Sequence, residues 1–343
     1  MRGARRRQLV TAAAAAACAL ALASGPGLLS DYDLVLAFSL FNYMSLAQAW
    51  NLVGGYGGLF SLGHAMFVGI GAYAAGLLLL HTGLPLGLAI VLAALVAAAI
   101  GAVIALPILR LQNVYFSVGT LGIAVAAQVW FINWDYSGGT SGLNLPSDTI
   151  LSFSTLYYMA AGCLALTTLA VWILVRGPFG MRLMAIRGDE QTAREVGVRV
   201  FPVKLVAFTV SAFLVGLVGA IGAVQSLSLE PYTAFGLTFT INMIIMTVIG
   251  GLGTIPGPLI GAFVVFELQQ QLQDYQSWST LIVGVALIVI IRLAPAGLWG
   301  VVTRGWALAL GRIGWRAGAV AVVPGPLEDL PAARPEKEPI ADA

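Results

Sequence analysis

Charged side chains are scarce in this chain of 343 residues, at 9% of the total, whereas a soluble domain carries about 25%. Lysine and arginine are absent from Gln8 to Leu109, from Leu111 to Val175 and from Leu205 to Ile291. A cation at the centre of a membrane-spanning helix costs roughly 2.5 to 3.5 kcal/mol, and one span needs about 20 apolar residues. The shortage of charge therefore excludes a water-soluble fold, and each cation-free stretch has room for several spans.

Cysteine and histidine are also scarce, with 2 residues of each. Cys18 and Cys163 lie inside apolar runs without the spacing of a metal or redox motif, so we expect both to be small packing residues. Two distant histidines cannot supply a metal triad, and the phosphate-binding pattern G-x-x-x-x-G-K-[ST] is missing. No Ser, His and acid constellation is visible, and the spans contain no polar cluster of the kind a membrane-embedded enzyme needs. We therefore predict no catalytic residue, no metal site and no ATP hydrolysis by this chain alone.

The apolar runs predict an all-α, polytopic membrane protein with about ten transmembrane helices, of which central ones are interrupted by glycine. The first apolar run follows four arginines, as in a signal peptide, but it exceeds the roughly 7 to 15 apolar residues of a signal core. We favour an uncleaved first span, which keeps the N-terminus in the cytoplasm. The spans are expected near residues 8–29, 34–53, 60–80, 114–134, 206–224, 238–249, 259–272 and 279–293, with a fourth ending at Arg110 and a sixth ending at Arg176.

Charge placement predicts the orientation and the domain organisation. In this arrangement the cations fall on the side of the N-terminus, whereas Asp31, Asp135 and Glu230 fall on the other side. The positive-inside rule then makes both termini cytoplasmic, as expected for a multi-pass protein of a bacterial inner membrane. The expected parts are a basic segment 1–7, a transmembrane domain 8–296 with a cytoplasmic loop 176–204, an interfacial segment 297–323 and a disordered tail 324–343.

Two glycine-rich stretches, residues 53–64 and 249–258, interrupt apolar sequence on the same predicted side of the membrane, and both contain Gly-Gly-x-Gly. Glycine and proline break helices, and broken backbone at membrane depth is tolerated where it is buried in protein or lines a cavity. Paired interruptions in two halves of a transporter indicate the substrate path, although ordinary helix packing also uses small residues. The translocation-path candidates are Gly54, Gly55, Gly57, Gly58, Ser61, His64, Gly250, Gly251, Gly253 and Pro256.

His64 lies at the start of the third apolar run and allows two interpretations. Polar groups inside the bilayer are costly, which would suit a proton relay. A structural histidine bonded to a carbonyl or to Ser61 is the simpler interpretation, and we favour it.

The segment from Arg176 to Lys204 holds six cations and three acids. Asp189 can cap a short helix, in which Glu190 and Arg194 have i,i+4 spacing and after which Gly197 suits the end. This helix is either a solvated connector or a knob for a cytoplasmic partner, with Ala193 and Val196 on its surface. The candidate coupling residues are Arg182, Arg187, Asp189, Glu190, Ala193, Arg194, Val196 and Gly197.

These stretches resemble the LivM-type permease subunits of branched-chain amino acid ABC importers. Taken together the motifs are specific, whereas any one of them alone is weak, and the similarity extends from about Leu34 to Gly300. The resembling residues are the run from Trp50 to Tyr73, Thr140-Ser-Gly-Leu143, the run from Phe179 to Glu190, Gly197-Val198 and the run from Gly250 to Pro258.

The resemblance implies a permease that pairs with a second, related permease, two cytoplasmic ATPases and an extracytoplasmic solute-binding protein. This chain would bind no cofactor and no nucleic acid, because ATP would be bound by the ATPase subunits. Residues 179–198 match the position of the family's ATPase-contacting loop. Branched-chain amino acids are the expected solutes, although members of the family also carry urea, amides and other small compounds.

The alternative function is an ion-coupled secondary transporter or channel for a small solute such as urea. Ion coupling would need charged residues within the spans. Glu267 is the only charged residue clearly inside a late span, and the glutamines beside it indicate an external helix end. This pattern argues against ion coupling.

Overall fold

The computed structural model describes residues 26–27, 29–145, 151–272, 284–285, 292 and 297–303. Most of these residues are helical, and those up to Val302 form one compact unit. The prediction of an all-α membrane protein is therefore confirmed. The basic segment 1–7 and the acidic tail lie outside the described residues, as do most of the first and tenth expected spans and most of the interfacial segment.

The helices follow the expected spans closely. Helices α1 to α5, α8, α10 and α11 occupy the second to the ninth of these spans. The bounds are α1 (Asp31–Asn51), α2 (Ala65–Thr82), α3 (Leu86–Ile108), α4 (Asn113–Ile132), α5 (Phe153–Arg176), α6 (Pro178–Gly188), α7 (Glu190–Glu195), α8 (Val200–Ser226), α9 (Pro231–Ala234), α10 (Leu237–Gly250) and α11 (Pro256–Gln271), with strands β1 (Leu143–Asn144) and β2 (Ser228–Leu229).

Within the described ranges, 6 helical segments are long and apolar enough to cross a membrane. The expected count of ten is thus not confirmed. The segments are Ala65–Thr82, Leu86–Ile108, Asn113–Ile132, Phe153–Arg176, Val200–Ser226 and Pro231–Gly250.

Helix α8, with 27 residues, is the centre of the bundle and packs against α1, α2 and α3. Small residues permit this packing, since a Cβ atom at Gly216 would clash with Ala97 on α3 and one at Gly71 on α2 would clash with the backbone of Gly216. Lipid chains are as apolar as leucine, so spanning helices associate through close contact rather than through burial of apolar surface alone.

The bundle has two different ends. We call the end at which α1, α3, α5 and α10 stop the junction end. The loop helices α6 and α7 lie there with the first residues of α2, α4, α8 and α11. We call the opposite end the ladder end, because β1 pairs there with β2 in an antiparallel ladder, with Leu143 opposite Leu229. The backbone N–H of Leu145 adds a hydrogen bond of 2.8 Å to the carbonyl of Leu227. The polar loop after α4 is therefore tied to the segment after α8.

Charges of opposite sign separate between these ends. Asp31, Asp33, Asp135 and Glu230 lie at the ladder end, and the acids at the junction end are in or beside α7. The cations at the junction end are Arg110, Arg176, Arg182, Arg187, Arg194, Arg199 and Lys204. The predicted segregation of cations to one side is therefore present in residues 29–145 and 151–272.

Candidate functional site

Helix α1 changes its hydrogen-bonding pattern where the first glycine stretch begins. Residues Leu52–Tyr56 form a π-helical turn, and irregular backbone then leads to His64, the residue before α2. The indole N–H of the buried Trp50 donates a hydrogen bond of 2.9 Å to the carbonyl of Ser61. The helix is therefore broken as predicted, and the tryptophan fastens the irregular segment to the end of α1.

Asn51 joins the second glycine stretch to the first. Its side-chain NH₂ donates to the carbonyl of Thr254 at 2.8 Å, and its Oδ1 accepts from the N–H of Gly253 at 2.9 Å. A Cβ atom at Gly55 would clash with Asn51 and lie 2.7 Å from the nitrogen of Gly253, so this approach requires glycine. The prediction that both stretches lie on the same side is confirmed. We call residues 51–64 together with residues 250–257 the glycine junction.

Helix α6 covers the glycine junction. Its Leu183 is fully buried, and a Cβ atom at Gly57 would lie 3.2 Å from this side chain. Arg187 contacts both stretches: a Cβ atom at Gly58 would lie 3.0 Å from Arg187 Cγ, and one at Gly253 would clash with the guanidinium. Both glycines have a positive φ, of 68° and 71°, so a larger residue would also strain the backbone. The loop thus packs on both glycine stretches at once.

Helix α7 has the cap and the ion pair that the sequence predicts. Asp189 Oδ1 accepts hydrogen bonds from the backbone N–H groups of Thr192 and Gln191, at 3.1 and 2.7 Å. These bonds hold the pKa of Asp189 below its ordinary value. Glu190 pairs with Arg194 one turn later. Gly197 follows the helix with a positive φ of 86°, as an end cap requires.

Glu190 has a second partner, Lys204, which the sequence analysis missed. Lys204 lies in the second turn of α8 with its side chain 4% exposed, and the Glu190 side chain is 27% exposed. Burial opposes ionisation of Glu190 and is the largest single influence, but Lys204 and Arg194 together outweigh it and lower the pKa of the carboxyl. Because a buried ammonium requires an opposite charge, this pair fastens α7 to α8.

The prediction that Ala193 lies on the outer surface of α7 is wrong. Ala193 is 2% exposed, and its carbonyl accepts a hydrogen bond of 2.9 Å from the N–H of Val198. Glu190 lies one turn before Ala193 on the same side of α7 and pairs with Lys204, so this side of α7 faces the start of α8. Val196 is 73% exposed and is therefore the member of the predicted pair that a partner could contact.

His64 is fully buried and bonded through both ring nitrogens. Nδ1 lies 2.8 Å from Ser61 Oγ, and Nε2 lies 3.1 Å from Ser211 Oγ on α8. Because the Ser211 hydroxyl donates its hydrogen to the carbonyl of Ala49 at 2.7 Å, it accepts from Nε2–H, which leaves Nδ1 to accept from Ser61. The expected bond to Ser61 is confirmed, and the geometry is that of a structural histidine.

Comparison with known proteins gives this architecture a family. Residues 34–291 match the family described as branched-chain amino acid transport system, permease component. The chain belongs to this family. The matched region contains the glycine junction and the loop 176–204, on which the resemblance depended. The protein is therefore a multi-pass permease component of a transport system in the inner membrane.

Several permeases of named transport systems are similar to this one. The high-affinity branched-chain amino acid transport system permease protein LivM of Salmonella typhimurium is 27% identical over 303 residues, which cover 80% of this chain and 71% of the relative. LivM of Escherichia coli is 28% identical over 286 residues, covering 75% and 67%. The autoinducer 2 import system permease protein LsrC of Photorhabdus laumondii is 29% identical over 127 residues, covering 35% and 38%. No solved structure matches this chain.

The structure of the permease brings most of the translocation-path candidates together through protein contacts, and none of them lines the two cavities at the ladder end. Ser61 and His64 lie between α1, α2 and α8, apart from the second stretch. The other candidates, all within the glycine junction, are Gly54, Gly55, Gly57, Gly58, Gly250, Gly251, Gly253 and Pro256. Their role in the solute path stays a prediction. Among the loop candidates, Arg187 contacts the junction, Glu190 contacts α8, and Arg182, Arg194 and Val196 are exposed.

Two residues of this region escaped sequence reasoning. Asn51 directly precedes the first glycine stretch, and Lys204 lies among the first residues of a spanning helix. Both are polar side chains within apolar sequence, where the cost of burial makes a specific partner necessary. That signal was present, but the identity of each partner depends on the fold.

Proposed function

We propose that this permease is the membrane subunit of an ATP-driven importer of the ABC type. It forms the translocation path with a second, related permease, and two cytoplasmic ATPase subunits bind the ATP. An extracytoplasmic binding protein delivers the solute. The solutes are branched-chain amino acids or related small polar compounds, a class supported by the names of the two LivM relatives.

The observation that carries this proposal is the attachment of the loop 176–204. Arg187 packs on both glycine stretches, and Glu190 pairs with Lys204 of α8. A partner that pushes on α7 would therefore move the ends of α1, α8 and α11 together. A loop that was only a solvated connector would not need a buried ion pair and a covered glycine junction, because each contact orders groups that are otherwise free.

The distribution of charge supports an orientation with the junction end in the cytoplasm. Seven arginine and lysine residues of the described part lie there, namely Arg110, Arg176, Arg182, Arg187, Arg194, Arg199 and Lys204. Loops rich in lysine and arginine stay on the cytoplasmic side. The β1–β2 ladder then faces outward, where a binding protein would dock, and the two termini are cytoplasmic if the expected first and tenth spans also cross the membrane.

Ion-coupled transport has less support. Within the described spanning helices, the charged residues lie within two turns of a helix end, as Lys204 does in α8 and Glu267 in α11. Lys204 is paired, and Glu267 accepts a hydrogen bond of 3.0 Å from Gln271. Ion-coupled transporters place titratable groups near the middle of the bilayer.

Co-purification tests the proposal. The tagged permease is isolated in mild detergent from membranes of its own organism, and its partners are identified by mass spectrometry. We expect an ATPase subunit and a second permease. Val196→Asp should lower recovery of the ATPase, because it places a charge on the exposed apolar residue of α7. Tyr136→Asp is the matched control, since Tyr136 is 53% exposed at the ladder end. Absence of any ATPase, or equal recovery with both variants, would contradict the proposal.

A further inference from the structure

A cavity of about 290 Å³ opens at the ladder end, away from the glycine junction. It lies between α1, α2 and α8 and the segment that leads from α8 to α10. This segment is not a continuous helix: α8 stops at Leu227, which has a positive φ of 56°, and β2 and α9 follow before α10 begins. Irregular backbone at membrane depth is tolerated where it is buried in protein or lines a cavity. Here it lines a cavity.

The lining side chains become less exposed from the mouth of the cavity to its floor. Ser226 and Thr233 are exposed at the mouth, and Asn42 is half-buried. Leu46 and Val68 are 2% and 6% exposed. A solute that entered would meet hydroxyl groups first, and then an amide and aliphatic side chains.

A second cavity of about 340 Å³ adjoins the first and shares Ser39 and Tyr43 with it. Tyr32 and Leu36 line it nearer the N-terminus of α1. The spacing of Tyr32, Leu36, Ser39 and Tyr43 is three or four residues, so they form one stripe along the helix. The two cavities therefore lie side by side along one face of α1.

The chemistry of the lining is polar but uncharged. No charged side chain among the described residues lines either cavity. The Oδ1 atom of Asn42 is buried and has no hydrogen-bond partner in the described part of the chain. A buried carbonyl without a partner is costly, and it can accept a hydrogen bond from a ligand. A solute with net charge would lose its hydration without gaining an opposite charge.

We propose that the cavity beside Asn42 is a solute-binding station for small compounds without net charge that combine hydrogen-bonding groups with an aliphatic part. Its volume is at the low end of the roughly 300 to 1,000 Å³ of ligand pockets, which limits the solute to a small one. Asn42 accepts from an amino or amide N–H, and Leu46 and Val68 contact the aliphatic part. A zwitterionic aliphatic amino acid meets this description. The inference deepens the proposed function and rests on it for the link to transport, but binding itself needs no ATPase.

Cysteine protection in the purified full-length permease tests the station. Ser39→Cys and Ser226→Cys, which line the cavity and leave the Asn42 acceptor in place, are made with Cys18 and Cys163 replaced by alanine, and the protein is placed in nanodiscs, which expose both faces. The reaction with methyl methanethiosulfonate is followed by mass spectrometry. Ala47→Cys is the matched control, because Ala47 lies on the same helix as Ser39 with 0% exposure and does not line the cavity.

We expect both cavity cysteines to react and the control to resist. Leucine, valine or isobutyramide should slow the reaction by the factor 1 + [L]/Kd, about tenfold at ten times Kd, and lysine and glutamate should not. Unreactive cavity cysteines, no protection by any neutral probe, or equal protection by lysine or glutamate would overturn the station. If protection fails while an ATPase still co-purifies, the station is wrong and the proposed function stands. If a neutral probe protects the cysteines while no ATPase co-purifies, the station stands and the proposed function is wrong.

Discussion

The helical backbone is interrupted in two regions that differ in what fills the space beside them. In the glycine junction, Asn51 bridges the two stretches, and α6 covers them with Leu183 and Arg187. Between α8 and α10, the interruption instead borders a cavity of about 290 Å³, and the Oδ1 atom of Asn42 has no partner among the described residues. One break is closed by protein, and the other is left open.

The comparison shows that glycine occurs in both surroundings: the junction glycines meet neighbouring segments, whereas Gly222 lines the cavity and a Cβ atom there would meet nothing within 4 Å. Glycine lacks the atoms that keep two backbones apart, so a glycine-rich break can close on a neighbouring segment. Residues 227–236 contain glycine only at Gly236, and Ser228, Leu229, Thr233 and Ala234 of this segment line the cavity. Irregular backbone at membrane depth has two permitted surroundings, protein and a cavity, and this permease contains one example of each.

The largest expected effect is an all-or-none difference in labelling between the two ends. With the native cysteines replaced by alanine, Ser141→Cys at the ladder end should react with a membrane-impermeant thiol reagent in intact cells. Val196→Cys in the loop should react only after lysis, because the positive-inside rule places that loop in the cytoplasm. Labelling of Val196→Cys in intact cells would reverse the orientation, and the cysteine-free parent measures the background.

Adding a side chain inside the glycine junction should destabilise the protein, whereas adding the same side chain at an open position should not. Gly55→Val forces a side chain into Asn51 and the backbone of Gly253, and overpacking costs about 1 to 3 kcal/mol. We expect a lower unfolding midpoint in detergent and loss of uptake. Gly122→Val is the control, since a Cβ atom at Gly122 meets nothing within 4 Å. Equal behaviour of the two variants would show that the junction is not close-packed.

Reversing one charge of the loop should loosen it from α8. Glu190→Lys places two cations together at the buried Lys204, and breaking a fully buried pair costs about 3 to 5 kcal/mol. The cost here is smaller, because Glu190 is 27% exposed. We expect faster tryptic cleavage at Arg194 and Arg199, measured on the purified protein.

Two double variants show which partner of Glu190, Lys204 or Arg194, is responsible for the resistance of the loop to trypsin. Glu190→Lys with Lys204→Glu should restore the resistance to trypsin. Glu190→Lys with Arg194→Glu keeps the pair within α7 but still opposes Lys204, so it should not restore resistance at Arg199, the measured site that the variants share. Rescue by the second variant alone would assign the effect to helix stability instead.

The smallest expected effect is a loss of loop stability in acid. A carboxyl with a lowered pKa in the folded state stabilises it above the unfolded pKa, about 4, and this contribution disappears as the pH falls through the lowered value. The lowered pKa values of Asp189 and Glu190 therefore predict a loop that is most stable near neutral pH. Hydrogen exchange of residues 189–197, corrected for the intrinsic pH dependence, should rise below about pH 4. The same dependence in Glu190→Gln would exclude a contribution from Glu190.

Local patterns were sufficient for the elements of the loop. The cap at Asp189, the pair of Glu190 with Arg194 and the end at Gly197 depend on residues within one or two turns, so spacing alone predicts them. The outward position assigned to Ala193 failed for the opposite reason. Which side of α7 faces inward depends on where the start of α8 lies, and no pattern within the loop contains that information.

The sequence by itself determined the membrane environment, the approximate helices and the side on which cations gather, because apolar length and charge placement are local properties. Only the tertiary structure decided that the two glycine stretches meet through Asn51, and that Glu190 finds Lys204. It also decided that the cavity lies beside Asn42 and away from the glycine junction. Contacts between residues far apart in the chain depend on how the helices cross, and small residues permit such crossings without specifying the partner.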